Sequence, residues 1–204
     1  SKQRSQPLAG DIENEGRSDE DKALFAAELR EFVPDSVFDS HAHCYRLTDM
    51  HPDSDPQGFP DTVEYGITSA FERMAAWMGE RAPKAGLFFP FPRKGMNREG
   101  ANTFLIDQLH RYPDSRGLLL ATPEDSLSAM APLLEASGIA GFKTYHVFAS
   151  GDTFNQPVGQ WTPEWVWEVA QERGWAIMLH LVLPNALADP ENQRYIVEYC
   201  LRYP

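Results

Sequence analysis

The sequence predicts an α/β fold with a parallel sheet, of the closed eight-stranded (β/α)8 barrel type, with about the first five strand–helix units present in this chain. Three observations lead there. Strand-like apolar runs alternate five times with helix-like segments over residues 19–204. The runs are nearly continuous in apolar residues, as in Gly117-Leu-Leu-Leu-Ala121 and Ile177-Met-Leu179, which is the pattern of strands covered on both faces. Polar residues gather at the C-terminal ends of the first, fourth and fifth runs: His41 and His43, Lys143 to His146, and His180. In a barrel those ends meet at one mouth, whereas in an open doubly wound sheet they can lie far apart. At roughly 35 residues per unit, a full barrel would need roughly 280 to 300 residues.

The elements follow in order. Residues 1–18 are polar, charged and aperiodic, which predicts a flexible acidic leader ahead of a domain over 19–204. Asp19 or Asp21 can cap a helix over Lys22–Phe32, where Leu24, Phe25, Leu29 and Phe32 recur at helical spacing and Pro34 ends the run. A strand at Ser36–Asp39 leads into a long polar loop over Tyr45–Pro60. Then come a helix near Thr68–Met78, a strand at Ala85–Phe89 and a helix from Asn97 to about Tyr112. The strand Arg116–Ala121 precedes a helix near Pro123–Ser137, whose first turn holds Glu124 and Asp125, as the helix dipole favours. The strand Ile139–Phe148 is followed by a Gly/Asn/Pro loop to Gly159. A helix with Pro163 in its first turn then runs to Arg173 and stops at Gly174. The strand Trp175–Val182 and a helix over about Pro190–Tyr203 complete the series, with Trp161, Trp165 and Trp167 read as packing against the sheet.

Composition narrows the function classes. A net charge of −12 argues against a sequence-independent nucleic-acid binder and against an anionic membrane surface as partner. No apolar run approaches the roughly 20 residues of a spanning helix, and no signal-peptide core precedes the first helix. With only Cys44 and Cys200, no disulfide framework exists; both read as free thiols, and the expected location is the cytoplasm. There is no glycine-rich phosphate loop, no Gly-x-Ser-x-Gly elbow and no zinc-finger spacing.

The chemistry concentrates in Val37-Phe-Asp-Ser-His-Ala-His43. On an extended strand, residues two apart share a face, so His41 and His43 converge as two nitrogen donors for a metal ion. Asp39 is placed to orient an imidazole from behind. His180, at the end of a later strand, is a third nitrogen, leaving room for a carboxylate and a water. Lys143 stands in an otherwise apolar strand. It either pairs with a carboxylate or anionic substrate group, or is carboxylated by carbon dioxide and ligates through carbamate oxygens. By the period of two, Tyr145 shares the face of Lys143 and is a substrate contact, while His146 lies on the opposite face. Arg93, with Lys94, is a candidate anchor for a substrate carboxylate. Cys44 is a neighbour of the metal rather than a ligand; His51 and His110 are given no role.

With Asp39-Ser-His41-Ala-His43 ending the first strand, Gly141-Phe-Lys143 on the fourth and His180 ending the fifth, the chain resembles the amidohydrolase superfamily, most closely its amidohydrolase-related branch, over about residues 36–204. The resemblance implies a divalent metal, zinc before others, as one ion or two. It would be bound by His41, His43 and His180, with Lys143 matching the carboxylated lysine of the binuclear branches. It implies a metal-dependent hydrolase that activates water for attack on an amide, ester or lactone of a small carboxylate-bearing or cyclic substrate. The alternative within the family is a metal-dependent decarboxylase or hydratase. The family also places a histidine on strand six and a general-base aspartate on strand eight, both after residue 204. The chain is therefore expected to be an N-terminal fragment that binds metal weakly and turns over little by itself. If it truly ends at residue 204, a non-catalytic binding module or relic is the alternative. The expected partner is a small molecule, with a homo-oligomer left open.

Overall fold

In the computed structural model, which describes residues 18–50 and 64–204, the chain forms a six-stranded, mostly parallel sheet with alternating helices. The strands are β1 (Phe38–Arg46), β2 (Glu64–Tyr65), β3 (Ala85–Pro90), β4 (Arg116–Leu120), β5 (Ile139–Tyr145) and β6 (Ala176–His180). Their spatial order is β2-β1-β3-β4-β5-β6. Short β2 pairs antiparallel with the end of β1, through Tyr45↔Tyr65 and Arg46↔Glu64. The five other strands are parallel and add side by side in chain order, so the sheet has no reversal of the kind that marks a doubly wound switch point. The helices are α1 (Asp19–Leu24), α2 (Ile67–Met78), α3 (Arg98–Arg111), α4 (Leu127–Leu134), α5 (Glu164–Arg173) and α6 (Pro190–Arg202).

One face of the sheet supplies the principal core. Ala42 and Cys44 of β1, Phe88 of β3, Leu119 of β4 and Phe142 of β5 pack against Ile67 and Ala70 of α2, Phe104, Leu105 and Leu109 of α3, Met130 and Leu134 of α4, and Val166 and Val169 of α5. Because strand side chains alternate, the neighbours of these residues, His43, Phe89, Lys143 and Tyr145, point to the other face. Trp165 of α5 meets the Phe142 ring edge-on at 5.4 Å, fastening that helix to β5.

Buried amides fix the strand ends. Asn102 of α3 donates Nδ2 to the Leu120 carbonyl at 3.0 Å and accepts the Leu120 N–H at 2.8 Å, satisfying both backbone groups where β4 ends. Asn192 of α6 accepts the Val158 N–H and donates to the Val182 and Ala186 carbonyls, tying the loops after β5 and β6 together. Gly141 of β5 faces Ala176 of β6, and a Cβ there would collide with the Ala176 carbonyl.

Several expected boundaries shift, each for a local reason. Ser18, rather than Asp19 or Asp21, is the N-cap of α1, in a capping box with Asp21. The expected Lys22–Phe32 helix is α-helical only to Leu24 and continues as a π-turn over Phe25–Leu29. Of its apolar residues Phe25 is buried, against Trp77 at 5.3 Å, while Leu24, Leu29 and Phe32 are exposed. The first strand runs on through the histidines to Arg46 instead of stopping at Asp39. The helix expected from Pro123 starts at Leu127, where Ser126 accepts the Ala129 N–H. The strand expected to reach Phe148 ends at Tyr145 and tightens into a 3-10 turn, His146–Phe148. The leader and most of the 45–60 loop, with His51, lie outside the described residues. Among the described residues no helix is long and apolar enough to cross a membrane.

Candidate metal and substrate site

β1 does not present its two histidines as a plain extended strand. Its register against β3 shifts between Asp39, opposite Gly86, and Ala42, opposite Phe88, so three steps on β1 match two on β3. Such a bulge re-aims the side chain it carries. Asp39 braces it by accepting the backbone N–H of His41 at 3.0 Å, so its hydrogen bond goes to the main chain beside the imidazole. The His41 and His43 rings stand edge-to-face with centroids 5.5 Å apart. Both also pack on one ring, Phe89, at 4.8 and 4.6 Å.

The electrostatics keep these rings neutral. Burial, then the charges of His41 and Lys143, push His43 down to about 4, against a hydrogen bond to the Pro90 backbone that raises it. Proline has no N–H, so that bond must run from the ring to the Pro90 carbonyl, and the nitrogen facing it carries the proton. His43 Nδ1 is then the lone-pair nitrogen, and it is buried without a hydrogen-bond partner among the described residues. A buried polar atom left unpaired is costly, and a cation would satisfy it. His41 is lowered by burial and by Lys143, with Asp39 opposing. Cys44 points the other way, into the helix-covered core, where burial pushes its thiol up to about 12; it offers no thiolate.

Lys143 joins this pair to the far side of the site. Its side chain is buried, with Nζ 5.2 Å from the centre of the Phe89 ring and 5.3 Å from that of Tyr145. Burial lowers it to about 8. On β6, His180 lies opposite Tyr145 in register, and the two rings are 4.1 Å apart. Burial, then Lys143 and His146, push His180 down to about 4. The Tyr145 hydroxyl is raised by burial and so stays protonated.

The strand-alternation expectation for His146 does not hold. Because β5 gives way to a 3-10 turn after Tyr145, His146 swings round and stacks on His180 at 5.0 Å and on Tyr145 at 4.9 Å. Its Nδ1 lies 3.0 Å from the Thr153 carbonyl. Beside these rings opens a cavity of about 440 Å³, with Phe91, Lys94, Tyr145, His146, Phe154 and His180 among its walls. Arg93 lines it too; Lys94 is exposed, and His110 is exposed in the last turn of α3. His146 and Phe154 are the site residues the sequence pattern passes over.

A divalent ion fits this donor set in part. The neutral His41 and His43 rings, with His43 Nδ1 unpaired, have the chemistry of nitrogen ligands. Among the described residues no three His, Cys, Asp or Glu side chains stand together closely enough to hold one ion, so His180 does not close a shell with the pair. No protein-family model and no curated protein matches this chain.

Proposed function

We propose that the chain is the first part of a (β/α)8-type barrel enzyme, a metal-dependent hydrolase of the amidohydrolase type acting on an amide, ester or lactone. Chain-order addition of parallel strands supports the barrel reading, since a closed barrel grows that way and a doubly wound sheet does not. The observation that carries the metal reading is the buried Nδ1 of His43, without a hydrogen-bond partner among the described residues, beside a second neutral imidazole.

His41 and His43 would hold the ion, with the neutral His180 ring facing it across the site rather than completing its shell. A bound zinc supplies Lewis acidity, lowering the pKa of a water ligand towards about 7. The chain's own groups do the rest. Tyr145, kept protonated, donates a hydrogen bond to a substrate oxygen. Lys143 as an ammonium attracts a substrate carboxylate or the negative charge that develops on attack. Its amine at about 8 also leaves an appreciable neutral fraction, the form that carboxylation requires. Arg93 and Lys94 stand at the cavity wall, where a substrate carboxylate can be anchored. Phe91, Tyr145 and Phe154 give the cavity apolar walls against which the substrate can pack.

The test is metal content of the full-length protein after dialysis against zinc. The wild type is expected to retain at least about one equivalent, with His41→Ala and His43→Ala losing it and Cys44→Ser unchanged. Unchanged zinc in His43→Ala would overturn the reading.

A further inference from the structure

Strand alternation turns His146 away from the site, and the proposed metal ligands do not include it. Yet it is buried, lines the 440 Å³ cavity and is fixed by a hydrogen bond and by ring contacts with Tyr145, Phe154 and His180. Its hydrogen bond settles the tautomer. A carbonyl oxygen only accepts, so Nδ1 bears the proton donated to Thr153, and Nε2 in the neutral ring is a lone-pair acceptor.

The segment that fixes His146 also shapes the cavity. Asp152 turns the loop by accepting the Phe154 N–H at 3.1 Å and the Asn155 side-chain N–H at 2.5 Å. Thr153 then orients His146, and the Phe154 ring covers the imidazole at 4.7 Å. The Phe154 carbonyl accepts the N–H of Leu183, in the loop that follows His180. Leu183 holds a left-handed backbone, φ 77°, a conformation that is strained for a non-glycine residue. Despite these ties the Phe154 side chain is 67 % exposed, an apolar wall left in water at the cavity.

We propose that His146 is a substrate-contacting residue whose Nε2 accepts a hydrogen bond from an N–H or O–H of the substrate, and that Phe154 selects for a flat apolar group beside that donor. The assignment rests on reading the histidine cluster as the reactive centre, and it deepens that reading by defining which side of the substrate faces β5. His146 is then a positioning contact and not a metal ligand.

Two probes separate the parts. Benzamide carries a flat ring beside an N–H donor; N,N-dimethylbenzamide keeps the ring and carbonyl without the donor. Titrated into the full-length protein by NMR, benzamide is expected to bind about three- to tenfold more tightly than its dimethyl analogue. His146→Asn keeps a donor for Thr153 and removes the acceptor at the Nε2 position, so the preference should vanish. His146→Gln places an amide oxygen near that position and should restore part of it. Phe154→Ala, on the exposed rim, should weaken both probes alike by about three- to tenfold. Zinc content is measured on the same samples and should not change in any variant.

A preference that persists in His146→Asn overturns the hydrogen-bond assignment, and zinc lost in that variant makes His146 a ligand and overturns it as well. Equal affinities in Phe154→Ala and wild type overturn the role of Phe154, whatever the folding of the His146 variants. If the wild type binds no zinc but shows a probe preference that His146→Asn abolishes, the metal reading fails and the contact stands.

Discussion

Replacing Lys143 by methionine should make the protein more stable at neutral pH. The lysine is buried with its ammonium against two aromatic rings, and burial takes it from 10.5 to about 8. At about 1.4 kcal/mol per tenfold in acidity, holding the charge inside the fold costs about 3 kcal/mol. Relaxation of the surroundings and residual solvent screening lower that figure, so a gain of about 2 kcal/mol is the working value. Methionine is unbranched, similar in length and well suited to lie between aromatic rings. The pH dependence follows from where the proton sits. Below about pH 8 the lysine is protonated in both native and unfolded chains, and the full penalty applies. Between about pH 8 and 10.5 the unfolded chain holds more protons, so wild-type stability rises with pH. The advantage of Lys143→Met should therefore be about 2 kcal/mol at about pH 7 and should fade by about pH 10.5. Urea unfolding of both full-length proteins in chelator, across that range, measures it, and titrating tyrosines cancel in the difference. A methionine variant that is less stable at neutral pH, or a gap that does not change with pH, would refute the burial argument. With zinc and bicarbonate present, a carboxylated Lys143 would instead reverse the order, leaving the variant the less stable.

Two further outcomes follow from the same geometry. His43 and His180, both held near about 4 against an ordinary 6.5, are neutral in the fold and protonated in the unfolded chain between those values. Metal-free stability should fall by about 3 kcal/mol as pH drops through that window, and a His43→Phe/His180→Phe variant should show a flatter urea-midpoint profile; parallel profiles would contradict the assignment. Gly141→Ala should cost more than about 3 kcal/mol, because its Cβ has no room against the Ala176 carbonyl, and thermal unfolding within about 1 kcal/mol of wild type would show that β5 and β6 can part cheaply.

The parallel strands were legible because their runs, such as Gly117–Ala121, are apolar on both faces, and their chain order left few arrangements. Where polar residues interrupt a strand, the pattern misleads. Asp39, Ser40, His41 and His43 look like the end of a strand, yet β1 continues to Arg46 because its far face lines a polar site and has no need to be apolar. His146 was displaced by the assumption that β5 stays extended, when a 3-10 turn begins at that residue without a glycine or proline to announce it. The apolar stripe of α1 shows the opposite failure. Leu24, Leu29 and Phe32 recur at helical spacing, but periodicity reports a face and not what covers it, and among the described residues only Phe25 of that stripe is buried. Phe154 lies in an aperiodic loop and had no signal to give. Strand order puts His41, His43, Lys143 and His180 at one end of the sheet; their division into a β1 pair and a β5–β6 group, with Lys143 between them, has no trace in the sequence pattern.

Phe89 touches His41, His43 and the Lys143 ammonium at once. A rigid ring shared by three groups works as a common mount, because a displacement of β3 carries all three with it and leaves their spacing nearly intact. Random motion of the sheet is thereby converted into motion of the whole array. The distances among those three groups should then fluctuate less than the position of any one of them, and a smaller residue at position 89 would uncouple the three without removing any.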